Sequence, residues 1–182
     1  ELGSAAMNSG HPREAFYHFN IIAKCFPAEP YYYDCQYYAG VCLYLDHEYD
    51  FANEALSTYL HSQSSPRFFE DAIGYKLQIA HCFANGAKKR FFGTRMLPKW
   101  APAKSLAFEI YDEVITSLPC HEYAAEALYA KACLYWQDHD FKGSIESFQL
   151  LIRRFPKHEM TPTAYLCINR VYLDQAACEF QN

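Results

Sequence analysis

Residues 40–66 read GVCLYLDHEYDFANEALSTYLHSQSSP, and the spacing within this segment predicts the fold of the whole chain. The small residue Gly40 is followed twelve positions later by Ala52, and the segment ends at Pro66. Four residues after Ala52 stands the large apolar Leu56. Steps of three and four residues place side chains on one face of a helix. The segment therefore predicts two antiparallel helices whose small residues let the backbones approach closely.

The same pattern recurs on both sides of this segment, at intervals of about 37 residues once an insertion in the third copy is set aside. The first small residue of each copy recurs at Gly3, Gly40, Ala80 and Ala132, and the second recurs at Ala15, Ala52, Ala107 and Ser144. We predict helix–turn–helix units at about 1–27, 30–66, 67–119, 121–156 and, as a half unit, 160–182. A half unit at the end of the sequence suggests an array that is cut part-way.

This arrangement of small, large and proline residues resembles the tetratricopeptide repeat. The resemblance implies an all-α fold, a right-handed superhelical solenoid of about 4.5 units that forms a single domain over residues 1–182. A generic helical bundle is the alternative that the pattern leaves open. The predicted helices are 1–9, 12–26, 30–46, 49–63, 66–85, 102–118, 121–137, 140–155 and 160–179.

The composition excludes several classes of protein. Hydrophobic residues make up 51% of the sequence and charged residues 20%, which excludes intrinsic disorder. The apolar runs are far shorter than the roughly 20 residues that a transmembrane helix needs. Helix-like sequence begins at the first residues, so we expect any targeting segment to lie upstream of Glu1.

Signatures of catalysis and of metal binding are missing from the sequence. It contains no glycine-rich phosphate loop, no Gly-x-Ser-x-Gly and no His-Glu-x-x-His, and none of its eight cysteines forms a Cys-x-x-Cys. We therefore predict a protein that is not an enzyme and has no catalytic residues, metal or cofactor. Most cysteines are expected to pack as small apolar residues. Cys25 and Cys35 end one helix and begin the next, so a disulfide between them is geometrically open.

A binding groove is expected on the first helices of the units, because these helices line the concave face of such solenoids. The predicted groove residues are Tyr37, Val41, Tyr44, Leu77, His81, Tyr129, Trp136 and Arg170. This aromatic, weakly charged surface suits an extended or helical peptide with apolar side chains. The alternative is that the same rings pack between neighbouring helices.

The third unit is split by an insertion at 86–101, and loops of this length are more often functional than idle. Its candidate functional residues are Lys88, Lys89, Arg90, Phe91, Phe92, Gly93, Arg95 and Trp100. We expect the apolar side chains to fold back on the helices and the cations to face outward. An anionic lipid or a nucleic acid could bind such a basic patch, but acidic neighbours explain the cations equally well. The net charge of −5 argues against nucleic acid as a general partner.

The insertion also supports a narrower resemblance. A Phe91-Phe92-Gly93 loop inside a split third repeat, followed by Ala103-Lys104, is similar to the BamD family, lipoproteins of the outer-membrane β-barrel assembly machine. The resemblance implies a periplasmic scaffold on the outer membrane, held there by a lipid anchor on an N-terminal cysteine that this sequence lacks. It would recognise unfolded β-barrel precursors with its N-terminal units and dock the barrel-forming subunit with its C-terminal ones.

Two other functions remain open. Eight cysteines are many for an oxidising periplasm and suit the cytoplasm better. A cytosolic tetratricopeptide chaperone for a secreted effector is therefore one alternative. A generic protein–protein interaction module is the other.

Overall fold

The structure is a computed structural model that describes residues 2–27, 31–90 and 97–179. Its helices and strands are α1 (Leu2–Asn8), α2 (Pro12–Cys25), α3 (Tyr32–Leu45), α4 (Tyr49–His61), α5 (Phe69–Ala84), β1 (Lys89–Arg90), β2 (Lys99–Ala101), α6 (Lys104–Ser117), α7 (Glu122–Gln137), α8 (Phe141–Arg154) and α9 (Met160–Glu179). Each predicted helix is present, and its ends lie within three residues of the predicted ones. The all-α prediction is confirmed.

The chain divides into two compact units, 1–104 and 105–182. In unit 1, helices α1 to α5 pack in sequence order, each against the next, and α3 also contacts α5. Strands β1 and β2 form a two-stranded antiparallel ribbon within the predicted insertion. In unit 2, α7 packs on α8, and α9 packs on both of them. The prediction of one domain over 1–182 stays a prediction.

Small residues at the predicted positions set the closest helix contacts of unit 1. A Cβ atom built on Gly40 would lie 2.9 Å from Cδ2 of Leu56, and one built on Gly3 would lie 2.9 Å from the Phe19 ring. Such distances are shorter than real Cβ atoms adopt, so an alanine at either position would force the facing side chain to shift. Ala15 and Ala52 are fully buried. The spacing read from residues 40–66 is thus the spacing of interlocked helix pairs.

Gly40→Ala is expected to destabilise the protein. Alanine favours a helix by about 1 kcal/mol over glycine. Here its methyl group would press on the fully buried Leu56, and overpacking costs about 1–3 kcal/mol. We expect a net loss, measured by urea unfolding. In a Leu56→Ala background, which makes room for the methyl group, Gly40→Ala should instead be neutral or stabilising. A gain in stability from Gly40→Ala alone would contradict the close approach.

The first helix of each pair ends in a left-handed residue. Gly10, His47, Gly86 and His139 have φ values of 75°, 59°, 94° and 58°. In the turn after α3, the His47 N–H donates to the carbonyl of Tyr44 and the Glu48 N–H donates to that of Leu43. These bonds satisfy carbonyls that the helix end leaves free. Gly86 adopts this conformation readily because it has no Cβ atom, whereas the two histidines gave no signal in the sequence.

Among the described residues, no helix combines the length and the apolar character needed to cross a membrane.

Candidate functional site

A groove runs along one side of unit 1, and we call it the α2–α4 groove. It consists of two adjoining cavities of about 280 and 400 Å³ that share Phe16 and Leu43. The first cavity is lined by Phe16, Asn20, Ala23, Lys24, Gln36, Ala39, Leu43, Phe51, Glu54, Ala55 and Thr58. The second is lined by Arg13, Phe16, Tyr17, Cys42, Leu43, Asp46, Glu48 and Arg90. Three helices and strand β1 therefore contribute to one surface.

The groove exists because α2 and α4 both pack on α3 and leave a space above it. Alanines keep that space open, since Ala23 stands on one wall, Ala55 on the other and Ala39 on the floor. Phe16 and Phe51 are half-buried beside them. The result is an apolar floor that solvent and another molecule can reach.

The two walls of the groove carry opposite charges. Arg13 and Lys24 stand on the α2 side, whereas Glu54 and Glu48 stand on the α4 side. Arg13 Nε donates to Asp46 Oδ1 at 2.8 Å, which ties α2 to the end of α3. The charged side chains of both signs nearly balance, so the groove as a whole is close to neutral.

The insertion closes one end of the groove through a set of ion pairs that we call the Arg90 latch. Arg90 forms ion pairs with Glu48 and, at 3.2 Å, with Asp50, and its backbone N–H donates to Asp50 at 3.1 Å. Lys99 on β2 donates to the His47 carbonyl at 2.7 Å and lies 3.2 Å from Glu48. The acidic turn before α4 thus holds both strands of the ribbon.

This latch corrects the expectation that the cations of the insertion face outward. The Arg90 side chain is only 11% exposed because two carboxylates hold it against the turn. Trp100, which was expected to fold back, is instead 60% exposed, and Leu97 is also exposed. Lys88 is exposed as predicted, and Lys89 is half-buried. Phe91, Phe92, Gly93 and Arg95 lie outside the described residues.

The charges of the latch shift the pKa values of its members. Burial alone would raise the pKa of Glu48, but hydrogen bonds from Arg90 and Lys99 outweigh it and hold that pKa below its usual range. The hydrogen bond to Glu48 raises the pKa of Arg90 further above its already high value. Both groups are therefore charged at neutral pH, and the latch is an ionic contact.

In unit 1, three of the predicted groove residues are buried, which corrects the sequence-based assignment. Tyr37 is 6% exposed and stacks on Phe68 with ring centroids 4.5 Å apart, and Val41 and Leu77 are buried as well. The cause is the packing of α5 against α3, which covers the rings of the first helices. Burial accordingly raises the pKa of Tyr37 far above its usual value. These residues stabilise the unit and do not line an open surface.

Tyr44 and His81, the remaining predicted groove residues of unit 1, are half-buried. The Tyr44 ring lies 5.3 Å from that of Tyr75 and 5.8 Å from that of Tyr49. Tyr44 therefore belongs to a tyrosine cluster, which is the packing role that the sequence left open as the alternative.

In unit 2, the predicted groove residues gather between α7 and α9. The Tyr129 hydroxyl lies 3.6 Å from Cys167 Sγ, and Trp136 Nε1 donates to Asp174 at 2.9 Å. Trp136 also lines a cavity of about 200 Å³ with Phe141. Arg170 is exposed. The outer face of α9 carries four large apolar side chains, each more than half exposed: Tyr165, Leu166, Tyr172 and Leu173.

The eight cysteines are all free thiols in the described part of the chain. Cys25 and Cys35 are both free thiols, the first exposed and the second buried, so the disulfide considered from the sequence is not formed. Burial raises the pKa of Cys133 to about 11, which favours the unreactive thiol. Within the described ranges, no group of three or more His, Cys, Asp or Glu side chains could hold a metal ion.

Comparison with known proteins returned similar structures but no family. No family model and no curated protein matches the chain. Solved structures do match, among them MamA 41-end from Desulfovibrio magneticus RS-1 and the MamA RS-1 ArsTM double mutant. Each of these MamA structures has a TM-score of 0.53 and 16% sequence identity over 97% of this chain, and the alignments cover 92% and 93% of the MamA chains.

MamA is an all-helical protein with tetratricopeptide-like repeats, so this likeness and the observed helix pairs agree. The fold is of the tetratricopeptide type. A likeness at 16% identity shows the fold and nothing about function. The comparison does not support the narrower resemblance to BamD.

Proposed function

We propose that this protein is a non-enzymatic interaction scaffold that binds an apolar segment of a partner protein in the α2–α4 groove. The observation that carries the proposal is an accessible apolar floor between two charged helices, about 280 Å³ in its first cavity alone. Accessible apolar surface rimmed by polar side chains is typical of protein-binding sites.

The groove favours a protein partner over a small metabolite. The acids and bases at its latched end are already paired with one another, as Arg13 is with Asp46 and Arg90 is with Glu48. Little charge is left to orient a small polar substrate, whereas a protein segment gains affinity from apolar contact alone.

The narrower role in outer-membrane β-barrel assembly stays a proposal. It rests on the split third repeat, whose Phe91-Phe92-Gly93 motif lies outside the described residues. In that role the partners would be unfolded β-barrel precursors and subunits of the assembly machine, at the periplasmic face of the outer membrane. A cytosolic location, with a secreted effector as the partner, is the competing form of the same scaffold.

A photo-crosslinking amino acid at Ala55 tests the proposal in the native cell. We expect it to capture a discrete partner protein, because Ala55 stands on the groove wall. The matched control is the same amino acid at Ile21, which is exposed on α2 but does not line the groove. Equal capture from both positions, or none from Ala55, would refute binding in the groove. Identification of the captured protein by mass spectrometry would separate a β-barrel precursor from a secreted effector.

A further inference from the structure

We infer that the segment bound in the α2–α4 groove is an amphipathic α-helix with acidic residues along one edge of its apolar stripe and basic residues along the other. The inference rests on the proposed function and names the class of partner for the same site. Four features of the groove carry it: its walls, its length, its shape and its charges.

The walls of the groove offer few partners to an extended backbone. In the first cavity they are helices, whose backbone groups bond within the helix, and the floor beneath them is built from apolar residues such as Leu43 and Ala39. The Thr58 hydroxyl already donates to the carbonyl of Glu54. The side-chain amides of Asn20 and Gln36 and the charged ends of Lys24 and Glu54 remain as partners in the first cavity.

An extended segment therefore has more polar groups than the groove can satisfy. The lining residues of α2 run from Arg13 to Lys24, a distance of about 16 Å at the helical rise per residue. An extended chain of that length has about five residues and about ten backbone polar groups. These four side chains cannot pair with all ten groups, and each buried group left unpaired costs free energy. A helix satisfies its backbone internally and avoids this cost.

The shape of the groove also fits a helix. The lining positions on α2 are spaced by three and four residues, so they form one face along the helix, and α4 presents a similar face. A bound helix of about 11 residues would lie between α2 and α4, above α3, with its apolar stripe on the floor of the groove. This is the helix-in-groove mode of peptide recognition.

The charges of the two walls determine the edges of that helix. The Lys24 side favours acidic residues on the facing edge, and the Glu54 side favours basic residues on the other. A peptide with one sign of charge on both edges meets a like charge on one wall. It should therefore bind more weakly, and the effect should diminish as salt is added.

The test uses the full 182-residue chain and three synthetic peptides of about 14 residues, long enough to cover the groove. The first peptide has an apolar stripe with Glu on one edge and Lys on the other. The second has Lys on both edges. The third keeps the stripe and charges of the first but has proline at one central position outside the stripe, which breaks the helix. Binding is measured by fluorescence anisotropy, and helix formation by circular dichroism.

We expect the first peptide to bind and to become helical, the proline peptide to bind at least tenfold more weakly, and the all-Lys peptide to bind about threefold more weakly at low salt. Ala55→Glu should weaken binding of the first peptide. Equal binding of the first and third peptides, both weakened by Ala55→Glu, would overturn the helix and leave the proposed function standing. If neither peptide binds while the crosslinker at Ala55 still captures a partner, the inference of a helical segment is refuted and the proposed function stands. If the crosslinker also captures nothing, the helical segment and the proposed function are both refuted.

Discussion

Ala23→Glu combined with Ala55→Glu is expected to weaken binding of the amphipathic peptide at least a hundredfold, about 3 kcal/mol. The two alanines face each other across the floor of the α2–α4 groove. Each glutamate would fill part of the open space and place a carboxylate against the apolar stripe of the bound segment. Burying a charge without a partner costs several kcal/mol, so the loss should appear in the dissociation constant measured by fluorescence anisotropy.

The double variant is expected to fold normally. Glutamate has a helix propensity close to that of alanine, and both positions line the open groove. Far-UV circular dichroism and thermal unfolding should match those of the original protein. Ile21→Glu on α2, outside the groove, is the matched control and should leave binding unchanged. Retained binding in the double variant would show that the segment docks elsewhere.

Arg90→Ala is expected to destabilise unit 1 by about 3 kcal/mol. Glu48 and Asp50 are mostly buried beside Arg90, and without the guanidinium their carboxylates would be left in that environment. Among the described residues, Lys99 would still lie close to Glu48. Removing one member of a buried ion pair is costly because the other keeps its desolvation penalty. Urea unfolding followed by tyrosine fluorescence measures the loss. Lys88→Ala, an exposed cation of the same segment, should change stability by less than about 0.5 kcal/mol.

The loss of stability caused by Arg90→Ala should become smaller at low pH. The folded-state pKa of Glu48 is lower than its ordinary value of 4.5, so its stabilising contribution is complete above that pH. It is lost as the pH falls through the folded-state pKa. The stability difference between the original protein and Arg90→Ala should therefore be constant near neutral pH and shrink below about pH 4.5. A difference that is unchanged at low pH would rule out the ionic latch.

The α2–α4 groove was missed in the sequence for a physical reason. The repeat pattern predicts a role only for small residues at positions where helices approach closely, such as Gly40 and Ala52. Ala23, Ala39 and Ala55 recur every 16 residues, and this spacing was the signal available. Alanine can either close a helix contact or leave a space, and local spacing does not distinguish the two. Only the placement of α2 and α4 on either side of α3 shows that these three alanines leave a space.

The predicted groove residues and the cations of the insertion also depend on contacts that local spacing does not reveal. Tyr37 and Val41 belong to first helices, as predicted, but they are buried because α5 covers α3. The sequence showed a local excess of cations in the insertion and an acidic remainder. It could not show that Arg90 lies beside Glu48 and Asp50, which are separated from it by about 40 residues.

The sequence by itself determined the helix pairs, their ends and the close approach of small residues, since these depend on the periodicity of neighbouring side chains along one helix or across one turn. Tertiary structure alone decided which aromatic rings are covered, where the cations of the insertion are paired and where a groove remains open. Those outcomes depend on contacts between segments that are distant in the chain, and the spacing of residues within a helix carries no information about them.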